Sequence, residues 1–348
     1  VLYNKDLTTL LKFPPQKNIQ TFVVPSTVRV IGKEAFSGNS GLKTLSLGNS
    51  VTTIETGAFQ GMSSLKVLNI TASVTSIVVQ NLFGYTMPSA INISSANPNY
   101  SSLDGVLYNK DKTTLLLYPS SKNETSFTIP SSVKTINSSA FDSAKLMSVI
   151  MPNSVTTIGD YAFYNVPITS LTFPDNISVG NQAFTSTGIT TLVVPEGVQF
   201  YNNSILASIP SVCSSLTTLT IAQKLVSGFS NCTKLEKVTL LESVISIGSS
   251  AFYRSAIRSL DIPDSVTSIG GSAFRESSLV SVKLPSNLSS IASGLFQGVS
   301  GLTEITLPDT VTTIGDFAFY GTGLTSISIP DAVTTIGTQA FYNVPITS

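Results

Sequence analysis

Side chains able to do chemistry are few in this 348-residue chain, and what is missing narrows the options first. There is no histidine, which removes imidazole-based triads, proton relays and metal sites. Glycines form no phosphate-cradling cluster and instead recur at a regular interval. Asp261 and Glu304 lie two strands apart on one expected face, which could give the roughly 5 to 10 Å separation of a glycosidase pair. An exposed sheet offers little to raise a carboxyl pKa, so no catalytic residue, cofactor or metal ligand is expected. Two cysteines, Cys213 and Cys232, each stand three residues before a leucine, Leu216 and Leu235. Stacked units would bring their α-carbons to roughly 5 Å with both side chains pointing the same way. Two buried thiols acting as small apolar fillers are expected, with a bridge as the alternative.

Charge is sparse and balanced, 19 Lys+Arg against 19 Asp+Glu in a chain only 11% charged. That balance excludes the basic footprint of nucleic-acid binding and the cationic face that holds an anionic membrane. No apolar run approaches the roughly 20 residues of a spanning helix, so no membrane insertion by this segment is expected. Glu236, Lys237, Arg258, Asp261, Lys283 and Glu304 place mixed charges on outward strand positions and are the best candidates for recognising a protein. Lys43 and Lys66, with Thr44, Ser46 and Asn69, form a second candidate. Most other outward positions carry Thr or Ser, such as Thr169, Thr190 and Thr217, which suit solvent-facing strands and hydroxyl ladders. Nine N-x-[ST] sequons occur, several inside strands expected to face the core, and they permit a glycosylated surface protein.

These residues are positioned by a repeat. One copy reads LTEITLP (302–308), DTVTTIG (309–315) and DFAFYGTG (316–323), then restarts as LTSISIP. Phe36, Phe59, Phe83, Phe141, Phe163, Phe184, Phe229, Phe252, Phe274, Phe296, Phe319 and Phe341 mark the period, mostly 21 to 24 residues, the spacing of leucine-rich repeats. In L-x-x-[LIV]-x-[LIV] the first, fourth and sixth residues point inward. Proline then ends the strand, V-T-x-I enters the core from the opposite side, glycine allows the bend, and Ala-Phe is expected to pack a short helical or 3₁₀ turn. Neither face of one unit is dry alone, so many copies must stack. About fifteen turns are expected, a rod or arc on the order of 70 Å long.

Two stretches break the period. VLYN, KDK and TTLLLYP read as two β-runs about the tip Asn109, Lys110, Asp111 and Lys112, and hence a hairpin. The chain begins in the same motif, in step from Val1 to Phe36 against Val106 to Phe141, so hairpin insertions are expected at 1–18 and 96–123. The second irregularity, 197–216, lengthens one turn before a short one, and a local bulge is expected there. Because the chain starts inside a motif and stops just into a strand pattern, it reads as a fragment of a longer polypeptide.

The unit LTSISIPDAVTTIGTQAFYN (324–343) and the insertion LDGVLYNKDKTTLLLYP (103–119) resemble the BspA-like leucine-rich repeat family. The resemblance implies surface or secreted proteins of bacteria and parasitic protists that adhere to host proteins and cells. The expected fold is a single repeat solenoid over 1–348. It would be a right-handed leucine-rich-repeat arc with one continuous parallel β-sheet on the concave side, and short strands and helical or 3₁₀ turns on the convex side. The expected function is a non-catalytic, extracellular or cell-surface adhesion or ligand-binding module whose partner is a protein, such as one of a host or extracellular matrix. The alternatives are an architectural spacer or stalk and, third, a Thr-faced carbohydrate or ice binder.

Overall fold

The computed structural model describes every residue except Asn18, Tyr85 and Ser348. The expected insertion boundary at Asn18 and the last residue of the expected strand at Ser348 therefore lie outside the described residues. The chain divides into two compact units, one of Val1–Pro167 with Val179–Thr187 and one of Ile168–Ser178 with Gly188–Ser348. Each is a solenoid of short stacked parallel strands, as the period requires.

In the first unit the L-x-x-L-x-L segments form a parallel sheet of Thr21–Val23, Thr44–Ser46, Val67–Ile70 and Ala90–Ile93. The V-T-x-I segments form a second ladder, Val30–Ile31, Thr53–Ile54 and Ser76–Ile77. The hairpin is present but has three antiparallel strands, because Tyr100–Leu103 pairs with Val106–Asn109 before that strand pairs with Thr114–Leu117. Thr114–Leu117 then opens the next second ladder, pairing in parallel with Thr135–Ile136. The two inserted copies share their turn contacts, including an Asn Nδ2 that donates to the Thr8 and Thr113 hydroxyls respectively. Asn4 Oδ1 accepts the Thr8 and Thr9 N–H groups, and Asn109 Oδ1 accepts that of Thr114. Lys112 is left-handed in this turn (φ 54°), and its counterpart Leu7 is too.

The second unit repeats the scheme. Ser170–Thr172, Thr191–Val194, Thr218–Ile221 and Lys237–Leu240 form one sheet, and Ser259–Asp261 pairs with Ser281–Lys283 in another. The expected single continuous sheet is thus divided: among the described residues, 303–307 and 325–329 form no strand, although the Thr325 amide still donates to the Thr303 carbonyl, while the second ladder is present through Ser290–Ile291, Thr313–Ile314 and Thr335–Ile336.

The Ala-Phe segment differs from the expected helical turn. It consists of overlapping tight turns in which the residues two before and two after the phenylalanine are left-handed, as in Ser139 (φ 55°) and Ser143 (φ 57°), or Ser272 (φ 57°) and Glu276 (φ 54°). Alternating left- and right-handed backbone turns successive N–H groups to one side. Here the N–H groups of Ser139, Phe141 and Ser143 donate to the carbonyls of Asp160, Ala162 and Tyr164 one turn later. Ser272, Phe274 and Glu276 donate in the same way to Ser293, Leu295 and Gln297. This is a third ladder. A left-handed non-glycine residue costs about 1 kcal/mol, and three bonds netting about 1 kcal/mol each offset two such residues.

The phenylalanines stack behind this ladder. Phe252, Phe274, Phe296 and Phe319 lie 5.7 to 5.8 Å apart, ring centre to ring centre, and all are fully buried. In the hairpin copies Phe13 and Tyr118 begin such stacks at 5.3 and 5.2 Å. The glycine after V-T-x-I serves close approach rather than a bend: a Cβ on Gly315 would stand 2.6 Å from the Ser293 amide nitrogen of the preceding turn.

Candidate functional site

The outward positions of the first ladder are set by strand alternation, so Lys237–Leu240 reads exposed, buried, exposed, buried. The same alternation exposes Glu236, Lys237, Arg258, Asp261, Lys283 and Glu304 in the second unit, and Lys43 and Lys66 in the first. Strand register puts Asp261 directly opposite Lys283. Even so, among the described residues none of these eight side chains forms an ion pair; the four pairs present are Lys122–Glu124, Lys224–Glu196, Arg254–Glu276 and Arg275–Glu276. Nearby, the Ser286 amide donates to the Asp264 carboxylate at 2.7 Å and holds its pKa below the ordinary value, with Lys283 adding to the effect.

Where the first ladder parts, two grooves open. One of about 570 Å³ runs between Lys283 and Thr306, and one of about 370 Å³ between Ser281 and Glu304. Lys283 and Glu304 thus stand on opposite walls of a split face rather than on one flat sheet. Lys43 and Lys66 flank adjacent strands in the first unit.

The threonine rows are accounted for by the backbone. Thr190 and Thr217 hydroxyls donate to the carbonyls of Thr169 and Thr190 at 3.1 Å. Thr75, Thr156 and Thr267 do the same along the second ladder. Each reaches the carbonyl that its own rung already binds, so the hydroxyls cap backbone and form no hydroxyl-to-hydroxyl ladder. Asn69 and Asn92, sequons inside strands, face outward rather than into the core and bond each other at 3.1 Å. At the hairpin tip Lys110 is engaged by backbone too: its Nζ donates to the carbonyls of Ser95 and Asn97, while Asp111 stays exposed.

One cluster escaped the sequence. Arg254 Nε donates to Glu276 Oε2 at 2.7 Å, Arg275 Nε to Oε1 at 3.2 Å, and both guanidinium groups lie over the Tyr253 ring. The signal was present, since YRS puts Arg254, and FRES puts Glu276, two residues after the phenylalanine, where most other copies have glycine, asparagine or serine. The Arg254 contact lowers the Glu276 pKa first, with the nearby guanidinium charges adding to it.

Cys213 and Cys232 form a disulfide with α-carbons 4.2 Å apart. This corrects the expectation of two free thiols. Cys213 sits in a 3₁₀ turn, Val212–Ser214, whereas Cys232 closes an ordinary tight turn on the Phe229 carbonyl. The two Cβ atoms therefore do not share one direction. The expected bulge at 197–216 is a short helical excursion, with Tyr201–Asn203 and Ile205–Ser208 preceding that turn. Among the described residues no cluster of histidine, cysteine and carboxylate side chains could hold a metal, and no helix is long and apolar enough to cross a membrane.

The model of the BspA type leucine rich repeat region matches residues 13–114, 117–227 and 226–347, six copies in all. The chain belongs to that family. Among solved structures, this BspA-type chain is similar to the pneumococcal vaccine antigen PcpA, at 24% identity and a TM-score of 0.52 over 73% of the chain. The chain spans 63% of the length of PcpA. It is also similar to a leucine-rich repeat protein from Bacteroides ovatus, at 22% identity and a TM-score of 0.53, over 93% of this chain and 76% of that one. Both likenesses bear on the fold. A comparison with curated proteins finds no match.

Proposed function

We propose that this BspA-type solenoid is a non-catalytic adhesion or ligand-binding module, secreted or displayed at a cell surface, that recognises a protein of a host or extracellular matrix. The supporting observation is the charged first-ladder face of the second unit, whose Lys237, Arg258, Asp261, Lys283 and Glu304 are exposed yet not paired with one another. Charges left for solvent steer and orient a complementary surface. A disulfide suits an oxidising compartment, and the likeness to a vaccine antigen fits exposure to a host.

The test is binding to an array of extracellular matrix and plasma proteins by biolayer interferometry, with the double charge reversal K237E/R258E beside the parent. The expectation is a saturable partner whose affinity falls by about tenfold or more, equivalent to about 1.4 kcal/mol. Absence of any partner, or identical binding by the variant, overturns the assignment. A spacer role is the second reading, supported by the near-identical copies VTTIGDYAFYNVPITS (155–170) and VTTIGTQAFYNVPITS (333–348), which lengthen a rod by duplication.

A further inference from the structure

The second unit contains a cavity of about 710 Å³ that the regular repeat does not produce. Its origin is a wedge. On one side Thr191–Val194 pairs with Thr218–Ile221 over four residues. On the other, Gln199–Phe200 and Leu225–Val226 are consecutive strands of the second ladder, yet they lie in different sheets and do not pair. The helical excursion, with Ile205 among the lining residues, takes the place of the thin double turn and props these two strands apart. The disulfide ties the end of that excursion to the following turn, so the opening is held by a covalent link.

What the wedge presents is chemically specific. Six planar polar side chains line it, Asp175, Asn176, Glu196, Gln199, Asn203 and Gln223. Such groups offer paired donors and acceptors in a fixed plane, a geometry that matches adjacent hydroxyls. Phe200, Ile221 and Leu225 supply apolar surface for C–H faces. Lys224 is the one cationic lining residue and lies 3.6 Å from Glu196. With two carboxylates against one ammonium group, an anionic ligand meets net repulsion. The volume falls in the range of small-molecule sites, about 300 to 1,000 Å³. Gln223 already spans the wedge, its Nε2 donating to the Val198 carbonyl at 2.6 Å, so one amide is oriented before any ligand arrives.

We infer that this cavity is a binding site for a neutral saccharide, separate from the charged strand face. The argument rests on the wedge and its lining and not on the proposed adhesive role.

The test titrates the whole chain, disulfide intact, with neutral oligosaccharides of glucose, mannose, xylose and N-acetylglucosamine by isothermal calorimetry and saturation-transfer NMR. The expectation is that at least one binds, and that D175L and Q199L each weaken it by about tenfold. Both side chains are exposed and form no described hydrogen bond, and unchanged melting temperatures would show that the fold persists. S227W, which places a large ring in the cavity, should abolish binding, whereas K237E/R258E should leave it intact. Failure of every sugar, preference for a basic peptide, or binding undiminished in D175L, Q199L and S227W overturns the inference. Loss of sugar binding in K237E/R258E would also overturn it, by placing the ligand on the strand face.

Discussion

Within the second unit, the turns from Ser246 to Phe341 and the stretch from Gly197 to Cys232 use the same apolar residues to different ends. In the former, the third ladder is closed at every step and the phenylalanine stack runs unbroken from Phe252 to Phe341 at 5.3 to 5.8 Å, although the second ladder is divided between Ser268–Ile269 and Ser290–Ile291. The strand side can part at 303–307 without opening the interior. In the latter, the first ladder holds while the second parts, and a cavity forms. The interior is therefore sealed where the third ladder and the aromatic stack run on together, and both strand ladders can part beside them. The first unit agrees, because a cavity of about 470 Å³ there lies beside Phe83 and Leu117, between the ring stack that reaches Phe83 and the one that Tyr118 begins.

The largest test of this contrast removes rings. F274A deletes a side chain held between Phe252 and Phe296 and is expected to cost about 3 to 5 kcal/mol. F200A removes a ring that meets Phe173 edge-on and borders the cavity, and it should cost about half as much. Urea unfolding followed by pulse proteolysis would compare them, and equal losses would show that the wedge is as tightly packed as the regular stack. Next in size is the disulfide. It closes a loop of 19 residues, for which chain entropy gives about 3 kcal/mol. C213S/C232S should lose hydrogen-exchange protection in residues 205–235 and keep it beyond Ser246. Uniform loss would mean that the wedge and the regular turns unfold as one.

The smallest effect concerns Glu276. Its carboxyl pKa is lowered from the ordinary 4.5, chiefly by the Arg254 hydrogen bond. A lowered folded-state pKa adds stability above the unfolded value, and that stability is lost as pH falls through the folded value. E276Q should therefore melt slightly below the parent at neutral pH, and the gap should close on acidification below about 4.5. The pair is exposed and salt should shrink the difference. A gap that persists in acid would assign the effect to packing over Tyr253.

Much of the fold was legible because burial leaves a mark on residue type. Ile54, Phe59 and Leu68 must be apolar wherever they recur, and so the strand and phenylalanine positions could be read directly. The third ladder leaves only half such a mark. Its left-handed positions two before the phenylalanine hold Glu34, Gly57, Ser139, Tyr161, Gln182 and Phe317, whereas those two after it are mostly glycine, asparagine or serine, as in Gly38, Asn165 and Gly298, so hydrogen bonds to the next turn, and not side-chain identity, hold the backbone at the first set. The charged face was legible from strand alternation, but its lack of mutual pairing depends on side-chain placement. The cavity and the bridge were hidden for one reason: both follow from a helical excursion at 201–214 whose geometry a periodic pattern cannot encode.

The third ladder also gives the stack a sense of direction. Three amide hydrogens leave each coil toward its successor and three carbonyl oxygens face its predecessor, so every regular coil offers an identical plug on one side and an identical socket on the other. Coils can be copied, deleted or moved without redesigning their neighbours, provided their order of travel is kept. That interchangeability is a physical basis for lengthening by internal duplication, and it leaves evolution free to alter outward side chains one coil at a time.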